Sequence, residues 1–284
     1  MKKIFIVTDT DSSLPVQIAK QHHIYQVPIT IHFEKENFTT GVDIDDVRVF
    51  ELIDRYKKLP TTSAPPPAAF AKAYQSAFDQ GADAVICICV SSKVSGTYNS
   101  AKNACEMFPD KEIHVIDSLN ISMGQGFMAL GAAEGAALGA SVEDILALIE
   151  NSRERLHTFA ALPTLKYLAM SGRVGKMVAG MADTLNIKPI LTIQDGKLEL
   201  LERVRTTKKA YDRVVDLARQ SIGTKKVERA AIIHVNNPQG AETMREMLSQ
   251  TLSVPEQVLM VEFTPGLSVH AGAGLVGVVL MSDQ

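Results

Sequence analysis

The chain has 284 residues, 46% of them hydrophobic and 21% charged, with a formal net charge of −3. That is the profile of a globular chain long enough for two domains or one large one. Neither the charge nor its distribution supplies the basic footprint that nucleic acid or an anionic lipid surface would require.

The opening "MKKIFIVTDTDSS" carries two lysines and then an apolar run that ends at Asp9, too short for a secretory core. It predicts a first strand over 3–10 in a cytoplasmic protein. Helical spacing follows over 47–58, and a second helix over 65–78 starts with prolines tolerable only in a first turn. "AVICICV" (84–90) is a continuous apolar run of strand length, as in a parallel strand covered on both faces. On that strand Cys87 and Cys89 share one face. With no ligand partner at metal spacing they read as buried thiols in a reducing compartment.

A helix over 95–108 is predicted next, with Ser95 as its N-cap, and then a strand over 112–118. Residues 121–140 are poor in charge and carry Gly131, Gly135 and Gly139 at four-residue spacing, as a small-residue membrane helix would. Gln125 and Glu134 interrupt the segment and bulky aliphatics are few, so it reads as a soluble helix packed closely along its glycines. A helix over 141–156 completes the first half.

The second half changes pattern. Residues 162–186 read as a basic helical stretch broken near Ser171–Gly172, and 189–205 as a hairpin turning at Asp195–Gly196. A helix over 207–222, a strand over 229–237, a helix over 238–252 and strands over 257–263 and 275–281 follow. The expected fold is α/β in two domains: a mostly parallel sheet domain over 1–160 and a mixed α/β domain over 161–284. No membrane span is expected.

"GAGLVG" (272–277) matches G-x-G-x-x-G, but it leads into a strand and the chain stops at Gln284, so it is no dinucleotide fingerprint. "VSSKVSGTYNSA" (90–101) is more informative. Ser91, Ser92, Ser95 and Thr97 stand between a buried strand and a helix, at the sheet edge where open α/β folds bind ligands. Capping uses one hydroxyl, and several are left over for an anionic oxygen near a helix N-terminus. "LPTTSAPPP" (59–67) offers Thr61, Thr62 and Ser63 ahead of another helix, and two such loops can converge on one carboxylate or phosphate. No lysine of P-loop spacing accompanies them. His270 precedes a glycine-rich turn that leaves its imidazole unobstructed. Arg173, between Gly172 and Gly175, either caps a helix C-terminus or pairs with an anion, and spacing leaves both open.

These stretches, with "LKYLAMSGRVGK", "IKPILTIQDGKLELLERVRTTKKA" and "SVHAGAGLVGVVL", resemble the DegV family along nearly the whole chain. These are bacterial fatty-acid-binding proteins that include the lipid-carrying subunits of fatty acid kinase. The resemblance implies a two-domain α/β protein holding one long-chain fatty acid, such as palmitate, in a tunnel between or beneath the domains. It implies no other cofactor, no metal, and no catalysis by this chain. Carried over, Thr62 and Ser95 hold the carboxylate, and Ser63, Ser92, His270 and Arg173 support them. It also implies a separate ATP-dependent kinase that phosphorylates the bound carboxyl group. The basic set Arg173, Lys176, Arg203, Arg205, Lys208 and Lys209 is the expected docking face, with Lys176, Arg203 and Arg205 foremost. Ser13, Pro66 and Ala273 depart from the family's usual residues in their loops.

Elementary energetics agree with that expectation. A carboxylate in a dry pocket needs hydrogen bonds or costs several kcal/mol. At about 0.8 kcal/mol per buried methylene, a sixteen-carbon chain offers on the order of 12 kcal/mol before association costs. Met123, Phe127, Met128, Met177 and Met181 are candidates for its apolar lining. The alternative is a serine-dependent acyl hydrolase with Ser95 as nucleophile, His270 as base and Asp9 or Asp117 orienting it, although no G-x-S-x-G elbow is present.

Overall fold

The computed structural model describes residues 2–34, 36–173 and 187–283; Lys176, Met177 and Met181 lie outside them. In chain order the elements are β1 (Ile4–Asp9), α1 (Val16–Gln21), β2 (Tyr25–Val27), β3 (Thr30–Phe33), β4 (Glu36–Thr39), α2 (Asp46–Tyr56), β5 (Thr61–Ser63), α3 (Pro67–Asp79) and β6 (Ala84–Cys89). Then come α4 (Thr97–Cys105), β7 (Glu112–Asp117), α5 (Met123–Ala137), α6 (Val142–Arg155), β8 (Leu156–Ala161) and α7 (Lys166–Ser171). After these stand β9 (Lys188–Gln194), β10 (Lys197–Val204), α8 (Thr207–Ile222), β11 (Val227–His234), α9 (Pro238–Thr251), β12 (Val258–Glu262), α10 (Pro265–Ala271) and β13 (Val276–Ser282).

The first sheet runs β2-β1-β6-β7 and is parallel throughout. Every residue of β6 is buried, because its two faces enter different cores. Val85, Cys87 and Cys89 pack with α3 and α4, whereas Ala84, Ile86 and Ile88 pack with α5. Alternation along a strand does the sorting. Cys87 and Cys89 are therefore neighbouring buried free thiols.

The second sheet runs β10-β9-β8-β13-β11-β12, antiparallel except for the β11–β12 pair. One face, with Phe159, Ile190, Ile232 and Val278, is covered by α8 and α9. The other face, with Ala160, Leu191, Ile233 and Val279, joins the α5 core, so one apolar cluster bridges both sheets. That position explains why α5 is buried from Met123 through Ala133. Its glycines permit the approach: a Cβ on Gly131 would stand 3.2 Å from Leu148 of α6, and one on Gly126 2.9 Å from the Ser12 carbonyl oxygen. Met123, Phe127 and Met128 belong to this core. None lines the cavity described below, which corrects their candidacy as ligand lining.

The Asp195–Gly196 turn forms as expected, both residues at positive φ (49° and 79°), and its tip docks on the first domain where the Ser91 hydroxyl donates to the Gly196 carbonyl at 2.7 Å. "GAGLVG" leads into β13 and not into a helix. Four things differ from the sequence reading. A small antiparallel sheet, β4-β3-β5, was not expected, because its strands of three or four residues are too short and polar to show a period. Strand β8 follows α6 with no turn residue between them, so the expected helix ends at Arg155 and the second sheet begins at Leu156. Residues 265–271 form α10, which starts at Pro265, where a loop was expected. Helix α4 starts at Thr97, with Gly96 and not Ser95 at the cap position. Among the described residues, no helix is long and apolar enough to cross a membrane.

Candidate functional site

Where the C-terminal ends of the parallel strands face the second sheet, they leave a cavity of about 100 Å³. Ala160, Leu191, Ile233 and Leu275 form part of its apolar wall. Its polar end is built by Asp11, Thr62, Ser95, Ser122, Arg173 and His270. Four of those six, Asp11, Thr62, Ser95 and Arg173, also line an adjoining polar cleft with Ser63, Ser92 and Asn99. The apolar chamber and the polar cleft thus meet at the hydroxyl-bearing segments, where a doubly wound sheet is expected to bind.

Thr62 and Ser95 are brought to the same place by different devices. Thr62 sits on β5, held by pairing with Ile31 of β3, so it is a strand residue and not part of a helix start. Ser95 lies in the turn after β6, whose backbone is tied down by Asp9 and Asp117. Asp9 accepts from the Val90 N–H at 2.8 Å, and Asp117 accepts from the Ser92 N–H at 3.1 Å. The two segments touch: a methyl on Gly96 would stand 3.9 Å from Ala64 Cβ, and Ser100 donates to the Pro65 carbonyl. Thr62 Oγ1 is 2.9 Å from His270 Nε2, and Ser95 Oγ is 2.8 Å from Thr97 Oγ1. Arg173 Nη1 donates to the Ser171 carbonyl at 2.8 Å, so it closes α7 while still lining the site.

Burial, and secondarily the Arg173 charge, push the His270 pKa down to about 3, so its imidazole is neutral near neutral pH. Asp9 moves the other way, to about 6, because burial outweighs the hydrogen bonds from Val90 and Gln125. Burial together with the Asp9 charge holds the Asp11 carboxyl well above its ordinary range, against the pull of Arg173.

The other expected residues separate. Ser63 Oγ pairs with His32 Nε2 at 2.8 Å at the rim of the cleft. Arg203, Arg205, Lys208 and Lys209 are exposed and line neither the cavity nor the polar cleft. The basic residues that share a cleft with Arg173 and His270 are instead Lys57, Lys58 and Lys166. The hydrolase constellation does not assemble. His270 pairs with Thr62, the Ser95 hydroxyl pairs with Thr97, and Asp9 and Asp117 hold backbone N–H groups. Of the departing loop residues, Ser13 is buried in the left-handed region with φ 50°, Pro66 is the N-cap of α3, and Ala273 lies exposed between Gly272 and Gly274. Sequence reasoning overlooked Asp11 and Ser122. The available signal was an acid placed directly after the C-terminal end of the first parallel strand.

A two-domain α/β protein with an apolar chamber closed by hydroxyls is the class that this geometry defines. The chain matches the DegV family model over residues 3–283 and belongs to that family. A DegV domain-containing protein of Mycobacterium tuberculosis is 35% identical over 97% of this chain and 96% of its own length. Among solved structures, a fatty-acid-binding DegV family protein from Thermus thermophilus superposes with a TM-score of 0.93 at 30% identity, covering all of both chains. DegV of Bacillus subtilis, described as a fatty acid binding protein, gives 0.89 at 29% identity, again over all of both chains.

Proposed function

We propose that this protein binds one long-chain fatty acid, palmitate being a representative ligand, with the acyl chain in the apolar chamber and the carboxylate at Thr62 and Ser95. The observation that carries the reading is the junction itself, a largely aliphatic chamber whose end is stopped by the Thr62, Ser95 and Ser122 hydroxyls beside Asp11, His270 and Arg173. The fatty-acid-binding descriptions of the Thermus and Bacillus proteins support it.

The hydroxyl geometry sets a proton order. Each hydroxyl carries a single proton. For Thr62 to donate to a carboxylate, it must accept from His270, which requires the neutral tautomer with hydrogen on Nε2. Ser95 likewise donates to the ligand only while Thr97 donates to it. Ser63 and Ser92, on the cleft rim, and Arg173 complete the polar surroundings. The function is carriage, and the domains divide between α6 and β8, at residues 155–156 and not at 160. The setting is cytoplasmic.

A separate ATP-using kinase is the partner in this reading, phosphorylating the carboxyl group at the mouth. Basic surface for it exists on the exposed end of β10, at Arg203 and Arg205, and in the cleft that Lys57, Lys58 and Lys166 share with Arg173. Charge reversal at Arg203 and Arg205 is expected to slow acyl-phosphate formation by such a kinase, and an unchanged rate removes that pair from the docking face.

Native mass spectrometry of the purified protein tests the main reading, with about one fatty acid expected per chain. Thr62→Ala and Ser95→Ala should each retain lipid about tenfold more weakly, one lost charge-assisted bond being worth roughly 1.5 kcal/mol, with the double variant weaker still. Consistent absence of bound lipid would refute the reading, and unchanged occupancy in the double variant would refute the site.

A further inference from the structure

Of the residues lining the cavity, Asp11, Ser122 and Thr158 carry a buried polar atom with no partner among the described residues, and two of these atoms, Asp11 Oδ1 and Ser122 Oγ, stand together at its polar end. Both residues line the chamber, with 6% and 2% of their surface exposed. They form one unit, because the Ser122 N–H donates to the Asp11 carbonyl at 2.9 Å. Ser122 is held at φ 53° and ψ −140°, a strained setting for a serine, immediately before α5. The strain turns no hydroxyl toward the helix, since Ser122 makes no capping hydrogen bond. On the opposite side α10 closes over Asp11: a Cβ on Gly266 would fall 2.6 Å from Oδ1.

A carboxylate ligand brings no proton with which to satisfy an orphaned carboxyl oxygen, and two bare carboxylates in one dry chamber repel. We propose that Asp11 and the carboxyl group of the bound ligand share one proton, with Ser122 completing the hydrogen bonding, so that ligand binding is linked to protonation of this pair. The inference rests on the fatty-acid reading above and adds a proton requirement to it.

The groups around Asp11 agree. Asp9, on the same turn, repels a charge on Asp11, and Arg173 is the cation set against it. His270, from α10, is held neutral by burial and adds no positive charge. Along its buried length from Met123 to Ala133, α5 carries no ionisable side chain, and Lys93 in the turn after β6 is exposed. Among the described residues one cation therefore faces two carboxyl groups and Asp9, and a shared proton removes the excess negative charge.

The test is calorimetric titration of lipid-free protein with dodecanoate from about pH 6 to about pH 9.5, in buffers of different ionisation enthalpy. Proton uptake should rise with pH to about one per ligand, and affinity should fall by up to about tenfold per pH unit at the alkaline end. In Asp11→Asn, whose amide donates without titrating, the uptake and the pH slope should disappear from the binding that remains. A carboxyl carbon-13 label on bound dodecanoate gives a readout that needs no variant: its shift should be displaced from the free carboxylate value toward the acid value wherever uptake approaches one proton per ligand. Binding with no uptake in the wild-type protein, uptake unchanged in Asp11→Asn, or a label that stays at the free carboxylate shift at every pH overturns this inference alone. Failure of dodecanoate to bind at any pH overturns it together with the fatty-acid reading.

Discussion

The two ends of the cavity are built on opposite principles. Its wall is one face of the second sheet, where Ala160, Leu191 and Ile233 present interchangeable aliphatic surface from three different strands. Its mouth depends on individual atoms brought from β5, the turn after β6, the turn after β1, and α10. The wall supplies affinity in proportion to area and tolerates changes that conserve volume. In the proposed reading the mouth supplies selectivity, and it does so at a cost in stability, since Asp9, Asp11 and Asp46 are all buried carboxyl groups.

Filling the wall should have the larger effect. Ala160→Phe places a ring where the acyl chain would lie. Displacing three or four methylenes, at about 0.8 kcal/mol each, should weaken lipid binding roughly a hundredfold. Native mass spectrometry reads the loss, and thermal unfolding of the lipid-free variant should change little if the ring enters free space. Full occupancy in this variant would mean that the chamber is not the acyl site. Loss of either hydroxyl alone, Thr62 or Ser95, comes next in size at about tenfold, because it leaves the apolar contacts in place.

The smallest effect lies behind the mouth. The Ser268 hydroxyl donates to Asp46 Oδ2 at 2.7 Å, tying α10, which carries His270, to α2. Burial pushes the Asp46 pKa up to about 7, with the Ser268 bond opposing the rise. A raised folded-state value means that the native protein binds the extra proton, so stability is lost as pH climbs from about 4 through 7. Asp46→Asn should abolish that slope and gain on the order of 1–2 kcal/mol over wild type above about pH 8, read by denaturant unfolding at several pH values. Parallel curves for the two proteins would show that Asp46 does not titrate in this window. His270 works with the opposite sign: its lowered value removes stability as pH falls from 6.5 toward about 3.

The long periodic segments were legible: β6 as a doubly covered strand, α5 as a glycine-faced soluble helix, and the Asp195–Gly196 hairpin. Each is specified by its own residues, through a continuous apolar run, a small-residue spacing and a turn that needs positive φ. Thr62, Ser95, His270 and Arg173 were singled out by residue type beside punctuating glycines and prolines, and these four do come to the same end of the cavity. Strands β3 to β5 and helix α10 were not legible, being too short to show a period; Ile31 and Phe33 of β3 pack with Val49 and Leu52 of α2 and Val269 of α10 in a small core of their own.

What the sequence determined by itself is the set of regular elements and the hydroxyl-rich segments between them, since both depend on interactions among residues near one another in the chain. Which hydroxyls remain free, and which carboxyl groups are buried beside them, was decided only on folding. Ser91 is consumed by Gly196, 105 residues away, and Thr62 finds His270 at a separation of 208. Contacts at that range follow from how the sheets pack, and no local spacing encodes them.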